Sequence, residues 1–476
     1  MGAYTLFPEN PDSETRMAAE RDEQTTTDTP MTSDTGLPPA VINDEDKTGA
    51  GNYFVANYPP FSCWTPQHVN DVHDVLKRTP ANAAEMGVYV HIPFCRKRCH
   101  FCYFRVYTDR NAAQIQDYMS AVIREASLYA QSPYLRGRRP RFVYFGGGTP
   151  SYLSAEQLRT LTEGLRQHMS WDDAEEITFE CEPGTLNRKK LEAIRDFGVT
   201  RLSLGIENFD DEILANNNRA HLSKQVYAAY EDARSTGFAQ INIDLIAGMI
   251  GETPANWQQC VDRTIDLAPD SITIYQMEVP YNTTIYKQMR ADGRVTAPVA
   301  DWATKRQWVA DAFARLETAG YTVASAYTAV RRREHSRFLY RDALWTGADM
   351  IGLGVASFSH LDGTHYQNET GSEIYEQRLG RDELPVCRAM TMTPTEQLIR
   401  QFILQLKLGR VERGFFHERF GIDVCEKFAG ELGRLRHAGY LTFDEQTITL
   451  SREGLLRVDR LLHNFFLPEH REVPYA

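Results

Sequence analysis

From Gly87 to about residue 319, short apolar runs alternate with stretches in which apolar residues recur every three or four positions. The runs predict strands at Val88–Ile92, Phe142–Phe145, Glu176–Cys181, Arg201–Gly205, Gln240–Ile246 and Ser271–Gln276. The stretches between them predict helices. Ile115, Met119, Val122, Ile123 and Ala126 share one helical face. Ser154 and Gln157 form a capping-box signature ahead of Leu158, Leu161 and Leu165. Asn187 can cap a helix that ends at Gly198, and a further helix is expected from about Ala300 to Ala319. Six strand–helix repeats predict an α/β fold with a parallel sheet and right-handed crossovers, a partial (β/α)6 barrel. Functional residues then belong on the loops after the C-terminal strand ends.

The rhythm then changes. From Thr393 the pattern gives helices over Glu396–Leu406, Val424–His437 and Glu453–Asn464, with a hairpin, YLTFDEQTITL, between the last two. This predicts a small helical, winged-helix-like C-terminal domain. Val424–His437 is mixed in charge and makes a poor nucleic-acid recognition helix, so a lid or packing role is expected. The chain divides into a disordered acidic tail (1–50), a segment packing on the barrel (51–86), the barrel (87–330), a connecting region (331–392) and the C-terminal domain (393–476).

Composition adds limits. The 476 residues exceed one ordinary core. The content is 42% hydrophobic and 24% charged, as in soluble globular proteins. Neither a bilayer-spanning run nor a targeting pattern is present, so cytoplasmic residence without stable membrane insertion is expected. Net charge is −12, but residues 1–50 hold eleven acids against three bases. The rest is close to neutral, which gives no support for a nucleic-acid partner.

Five of the eight cysteines (Cys63, Cys181, Cys260, Cys387 and Cys425) are scattered singly. The other three, Cys95, Cys99 and Cys102, follow the first strand with the spacing C-x3-C-x2-C. Structural zinc sites usually draw their cysteines from two pairs, and no second pair follows. Three thiolates on a four-iron cubane would leave one iron open for an outside ligand. Arg96, Lys97 and Arg98 lie between the cysteines and are expected to favour thiolates. Arg331, Arg332, Arg333, Arg337 and Arg341 fall within eleven residues and could seat a polycarboxylate, or form a solvated basic loop.

The cysteine spacing, with Phe101 before the last ligand, resembles the radical S-adenosylmethionine (SAM) superfamily. Tyr89-Val-His-Ile-Pro-Phe-Cys95, Gly146-Gly-Gly-Thr-Pro150, the Glu180 strand, Arg201-Leu-Ser-Leu-Gly205 and Asn242-Ile-Asp-Leu-Ile246 are similar to the oxygen-independent coproporphyrinogen III dehydrogenase family. The likeness runs from about Asn52 to the C-terminus. It implies a [4Fe–4S] cluster on Cys95, Cys99 and Cys102, and a 5′-deoxyadenosyl radical formed from SAM. Tyr89, Gly147, Glu180 and Phe358 match positions that contact one SAM. Phe101, Gly148, Thr149, Glu207, Arg219 and Asp244 match positions that contact a second, so one SAM or two are implied. The glycines would let the backbone approach the methionine part closely.

Three sequence departures bear on this reading. Glu207 stands where the family has Gln, Phe104 where it has a fourth cysteine, and Tyr327–Arg331 where it has Asp-His-Phe-Ala-Arg. The implied reaction is oxidative decarboxylation of coproporphyrinogen III or a related tetrapyrrole, with a reducing donor such as flavodoxin or ferredoxin. The alternatives are a radical methyltransferase or cyclopropanase using a second SAM, and a haem-binding chaperone without decarboxylase activity.

Overall fold

The computed structural model describes residues 47–80, 84–331, 336–471 and 473. Most of the expected acidic tail, and Arg332 and Arg333, lie outside these residues.

All six expected strands form: β1 (Met86–Ile92), β2 (Phe142–Gly147), β3 (Glu176–Cys181), β4 (Arg201–Glu207), β5 (Gln240–Ala247) and β6 (Ser271–Gln276). They pair side by side in chain order, all parallel. Their near-continuous burial is that of strands covered on both faces. The helical faces and caps also form. On the helix Ala112–Gln131, Ile115, Met119, Val122 and Ala126 are buried. Ser154 and Gln157 cap Ala155–His168 reciprocally. Asn187 caps Arg188–Asp196, and Gly198 just beyond takes a φ of +90°.

The sheet does not stop at six strands. Beyond β6 it adds β8 (Thr328–Val330) and then β7 (Thr322–Val323), both antiparallel. On the other side β9 (Asp349–Leu353) runs parallel to β1. Antiparallel β10 (Phe358–Leu361), β11 (Thr364–Asn368) and β12 (Val386–Thr391) follow, giving twelve strands in all. Residues 331–392, expected only to connect, thus supply four strands of the main sheet. The β10–β11 turn is Asp362-Gly363, with φ of +48° and +77°, as two-residue hairpins require.

The C-terminal domain is helical with a wing. Pro394–Leu406 forms as expected. The other two expected helices are interrupted. Val424–His437 breaks at Phe428, and Glu453–Asn464 is divided at Arg457. The expected hairpin is β14 (Leu441–Phe443) with β15 (Thr447–Leu450), and β13 (Arg410–Glu412) completes a small sheet on it.

Two main cores result. One fills the space between barrel and helices. The other lies in the C-terminal domain and takes in Val55 and Tyr58 from the N-terminal segment. That segment is a strap over the C-terminal ends of the barrel strands. Glu278 accepts from the N–H groups of Tyr53 (2.8 Å) and Phe54 (3.0 Å), just past β6. Among the described residues no helix is long and apolar enough to cross a membrane.

Candidate active site

Inward-facing positions of the barrel strands are polar where a core would need them apolar. Asp244 accepts from Ser203 Oγ (2.7 Å) and Asn242 Nδ2 (3.0 Å). Asn242 Oδ1 accepts from Ser271 (2.7 Å) and Thr273 (3.1 Å). Such a layer is costly unless satisfied, and it floors a cavity of roughly 450 Å³ at the C-terminal strand ends.

The cysteine loop forms one wall of that cavity. All three cysteines line it. Cys95 is buried with its Sγ 3.3 Å from Thr149 Oγ1, and Cys99 Sγ accepts from Arg219 Nη1 at 3.2 Å. Among the described residues no His, Cys, Asp or Glu trio converges as ligands of one ion. The three thiols share one wall of the cavity. Arg98 lowers the Cys102 thiol, but burial is the larger effect. Burial pushes Cys95 up to about 11 and Cys102 up to about 12. Arg96 reaches the carbonyl of Gly184, and Arg98 those of Cys102 and Asn282. Arg98 thus favours the Cys102 thiolate as expected, but burial outweighs it, and iron on binding would have to displace the protons.

The glycines have a local reason beyond access. A Cβ on Gly148 would lie 2.9 Å from Ile92 O and 3.0 Å from Phe94 O, on the backbone that leads into Cys95. One on Gly147, whose φ is +112°, would lie 2.7 Å from the His91 ring. Their bareness seats the cysteine loop on β2 and leaves backbone facing the cavity.

Three acids line the same cavity, with the Arg219 guanidinium set against Cys99. Glu180 accepts from Tyr144 Oη (2.5 Å) and the Gly147 N–H (3.2 Å). Burial nevertheless raises Glu180 to about 7. Glu207 sits at a β-bulge with a φ of +67°, rare for a side chain of its size. Its carboxylate is 3.6 Å from Arg219, yet burial brings it to about 7 as well. Burial also raises Asp244. Arg219 donates to Gly205 O at 2.5 Å as well as to Cys99, while its Nε has no partner. The floor thus offers carboxyl acceptors and a buried donor beside the cysteines, a set suited to a ligand carrying both an amino and a carboxylate group.

Of the residues singled out in the sequence, Cys95, Cys99, Cys102, Phe101, Gly147, Gly148, Thr149, Glu180, Glu207, Arg219 and Asp244 line this one cavity. Tyr89 lies behind it, stacked on Tyr144 with its hydroxyl 3.1 Å from His91 Nδ1. Phe358 packs against Phe61 and Trp64. The described members of the arginine cluster do not line it. Arg331 is exposed and donates to Ala268 O, Arg337 is exposed, and Arg341 pairs with Asp342 at 2.7 Å. Besides Arg219 and the cysteine loop's own Arg96, Lys97 and Arg98, the cations that line the cavity are Arg201, Arg306, Arg457 and Arg460, with Tyr53, Phe54, Trp302, Tyr275, Tyr327 and Phe338 as its aromatic side. Alternation along β2 and β6 could have disclosed Tyr144 and Tyr275. No local signal joins Arg306 to Arg457 and Arg460.

Comparison with known proteins agrees with this arrangement. Residues 89–264 match the Radical SAM superfamily and form a domain of it, whose cofactors are a [4Fe–4S] cluster and SAM. Two kinds of relative extend the match over most of the chain. One is the heme chaperone HemW, 29% identical in Mycobacterium tuberculosis over 80% of this chain and 95% of the relative. In Bacillus subtilis it is 26% identical over 78% of this chain and 96% of the relative. The other is the oxygen-independent coproporphyrinogen III oxidase, 26% identical in Pseudomonas aeruginosa over 80% of this chain and 86% of that protein. The fold is that of Escherichia coli coproporphyrinogen III oxidase (HemN), with a TM-score of 0.75 at 24% identity, covering 88% of this chain and 99% of that one.

Proposed function

We propose that this protein is a radical SAM enzyme acting on a tetrapyrrole, by oxidative decarboxylation of the propionates of coproporphyrinogen III or a close analogue. The observation that carries the reading is the single cavity in which three cysteines lie with Glu180, Glu207, Asp244 and Arg219. Cys95, Cys99 and Cys102 would hold the cluster. Gly147 and Glu180 would hold the methionine end of SAM, and Glu207, Arg219 and Asp244 the place of a second molecule.

Together the bound cofactors supply abstraction of a hydrogen atom from substrate. The chain's own part is positioning and exclusion of water. Arg306, Arg457 and Arg460 suit substrate carboxylates, since guanidinium groups pair with them bidentately. The aromatic wall suits pyrrole rings. Each propionate would lose a hydrogen atom, carbon dioxide and one electron to leave a vinyl group, so an electron acceptor is required.

The test is anaerobic reconstitution with iron and sulfide, then SAM, a reductant and coproporphyrinogen III, with products followed by mass. Loss of carbon dioxide from two propionates is expected. SAM cleavage without decarboxylation would overturn the substrate and direct attention to methyl transfer or cyclopropanation. Cys99→Ala should abolish SAM cleavage, and persistence of cleavage would sink the cluster assignment. A haem-binding role is the second reading, favoured by the nearly full-length match to HemW. Stoichiometric haem binding with the porphyrinogen unchanged would establish it instead.

A further inference from the structure

Two aromatic rings on the cavity wall are left uncovered by the fold. Tyr103 and Phe104, the two residues after Cys102, are 43% and 41% exposed, and both line the cavity. Their ring centroids lie 4.4 Å apart with the planes tilted by 35°. Neither belongs to an apolar core cluster among the described residues. A single exposed apolar side chain is ordinary, but two side by side on the wall of a cavity make a surface for a ligand.

The backbone under the rings is fixed. Asn282 Nδ2 donates to Tyr103 O at 2.5 Å. Arg98 Nη2 donates to Cys102 O (3.2 Å) and to Asn282 O (3.1 Å), and Asn218 Nδ2 donates to Arg98 O (2.8 Å). The pair is therefore held before anything binds, which lowers the ordering cost of binding. The same cavity carries Phe54, Tyr275 and Tyr327, which pack ring against ring, and the guanidinium groups of Arg306, Arg457 and Arg460. A ligand that meets both sets carries flat rings and carboxylates together.

We propose that Tyr103 and Phe104 form a stacking platform that seats one pyrrole ring of the substrate, and so set the specificity of the site for ring-bearing polycarboxylates. The proposal rests on the tetrapyrrole reading of the cavity. Aromatic faces attract one another in offset and edge-to-face arrangements, beyond what burial of their area gives. Because Tyr103 directly follows Cys102, a ring seated here lies beside the cysteine wall. Phe104 stands where the resembled family has a cysteine, which offers no ring, so the platform is this chain's own feature.

The test is an anaerobic fluorescence titration of the cluster-loaded protein with coproporphyrin III, the stable oxidised macrocycle that keeps the pyrrole rings and the propionates. Tyr103→Leu with Phe104→Leu keeps an apolar surface and removes both ring faces. It should weaken binding about tenfold. Tyr103→Phe with Phe104→Tyr exchanges the two rings and should bind within about twofold of the unchanged protein. Iron content should be the same in all three. Unchanged affinity in the leucine variant overturns the proposal, and so does equal weakening in the exchanged variant, because ring faces would then not be what binds. A loss of iron in step with the loss of binding also overturns it, since the rings would then serve the cysteine loop. Failure of the unchanged protein to bind the macrocycle at all would instead sink the tetrapyrrole reading, before any variant is compared.

Discussion

At the scale of single residues the site is defined by charges that burial works against. Glu207 illustrates this best. It has an unfavourable backbone conformation, a raised carboxyl and an Arg219 partner that burial outweighs. A carboxyl held at about 7 keeps its proton in the native state above the pH at which the unfolded chain loses it. Its contribution is therefore full below the ordinary value of 4.5 and is lost as pH rises through 7. Gln carries no charge at any pH and keeps the same backbone strain. Glu207→Gln should match the wild type in stability near the ordinary carboxyl value. It should become more stable as pH rises, by at most about 3 kcal/mol once 7 is passed. Urea unfolding of the cluster-free protein across that range measures it. A difference that does not change with pH would show that Glu207 is already ionised in the fold. His91, which burial lowers to about 4, gives the opposite slope and cancels in the comparison of the two proteins.

At the scale of elements the decisive contact is between the loop after β1 and the end of β2. Gly148 is flanked by the backbone of Ile92, Pro93 and Phe94, which cannot move aside as a flexible side chain can. Gly148→Ala should therefore displace the cysteine loop and lose most of the bound iron after reconstitution, with the helical content unchanged. Gly433→Ala, in the helix Ala429–His437 with open space around the new methyl, is the matched control. It should keep its iron and gain about 0.5–1 kcal/mol of stability. Equal iron in both variants would contradict the close-approach account.

The same element level explains what was legible in the chain. Strands buried on both faces announce themselves as apolar runs, and polar caps announce the helices between them. This fixed β1 to β6; of the eleven cavity residues, the cysteines stood out by their spacing and the other eight through the family resemblance. Strands β9 to β12 are short, and their Asp362-Gly363 turn was the only strong local cue. Arg331, Arg337 and Arg341 do not line the cavity, because clustering in sequence says nothing of direction. Of the cations that do line the cavity, Arg306 is joined to Arg457 and Arg460, in a segment more than a hundred residues on, only by packing.

At the scale of the whole molecule, barrel, strap and C-terminal domain meet at one buried ion pair. Lys407, fully buried at the end of Pro394–Leu406, places its Nζ 2.8 Å from Asp459 Oδ1 and 2.6 Å from Val55 O. Asp459 also accepts from the Val55 N–H at 2.9 Å and from Tyr327 Oη at 2.5 Å. Four segments far apart in sequence thus converge on one carboxylate that also lines the cavity. Removing that charge alone leaves the Lys407 ammonium buried without its counter-charge, which costs about 3–5 kcal/mol. Asp459→Asn should therefore lower the urea midpoint sharply. Glu412→Gln, which breaks the exposed Arg410–Glu412 pair, should shift stability by no more than about 1 kcal/mol. Replacing both partners, Lys407→Met with Asp459→Leu, removes the buried charges together and should recover most of the loss. If Asp459→Asn is as mild as Glu412→Gln, the pair does not join the domains. If the double variant is as unstable as Asp459→Asn, the loss comes from the hydrogen bonds of Val55 and Tyr327. In that case the strap is held over the cavity by those bonds and not by the pairing of charges.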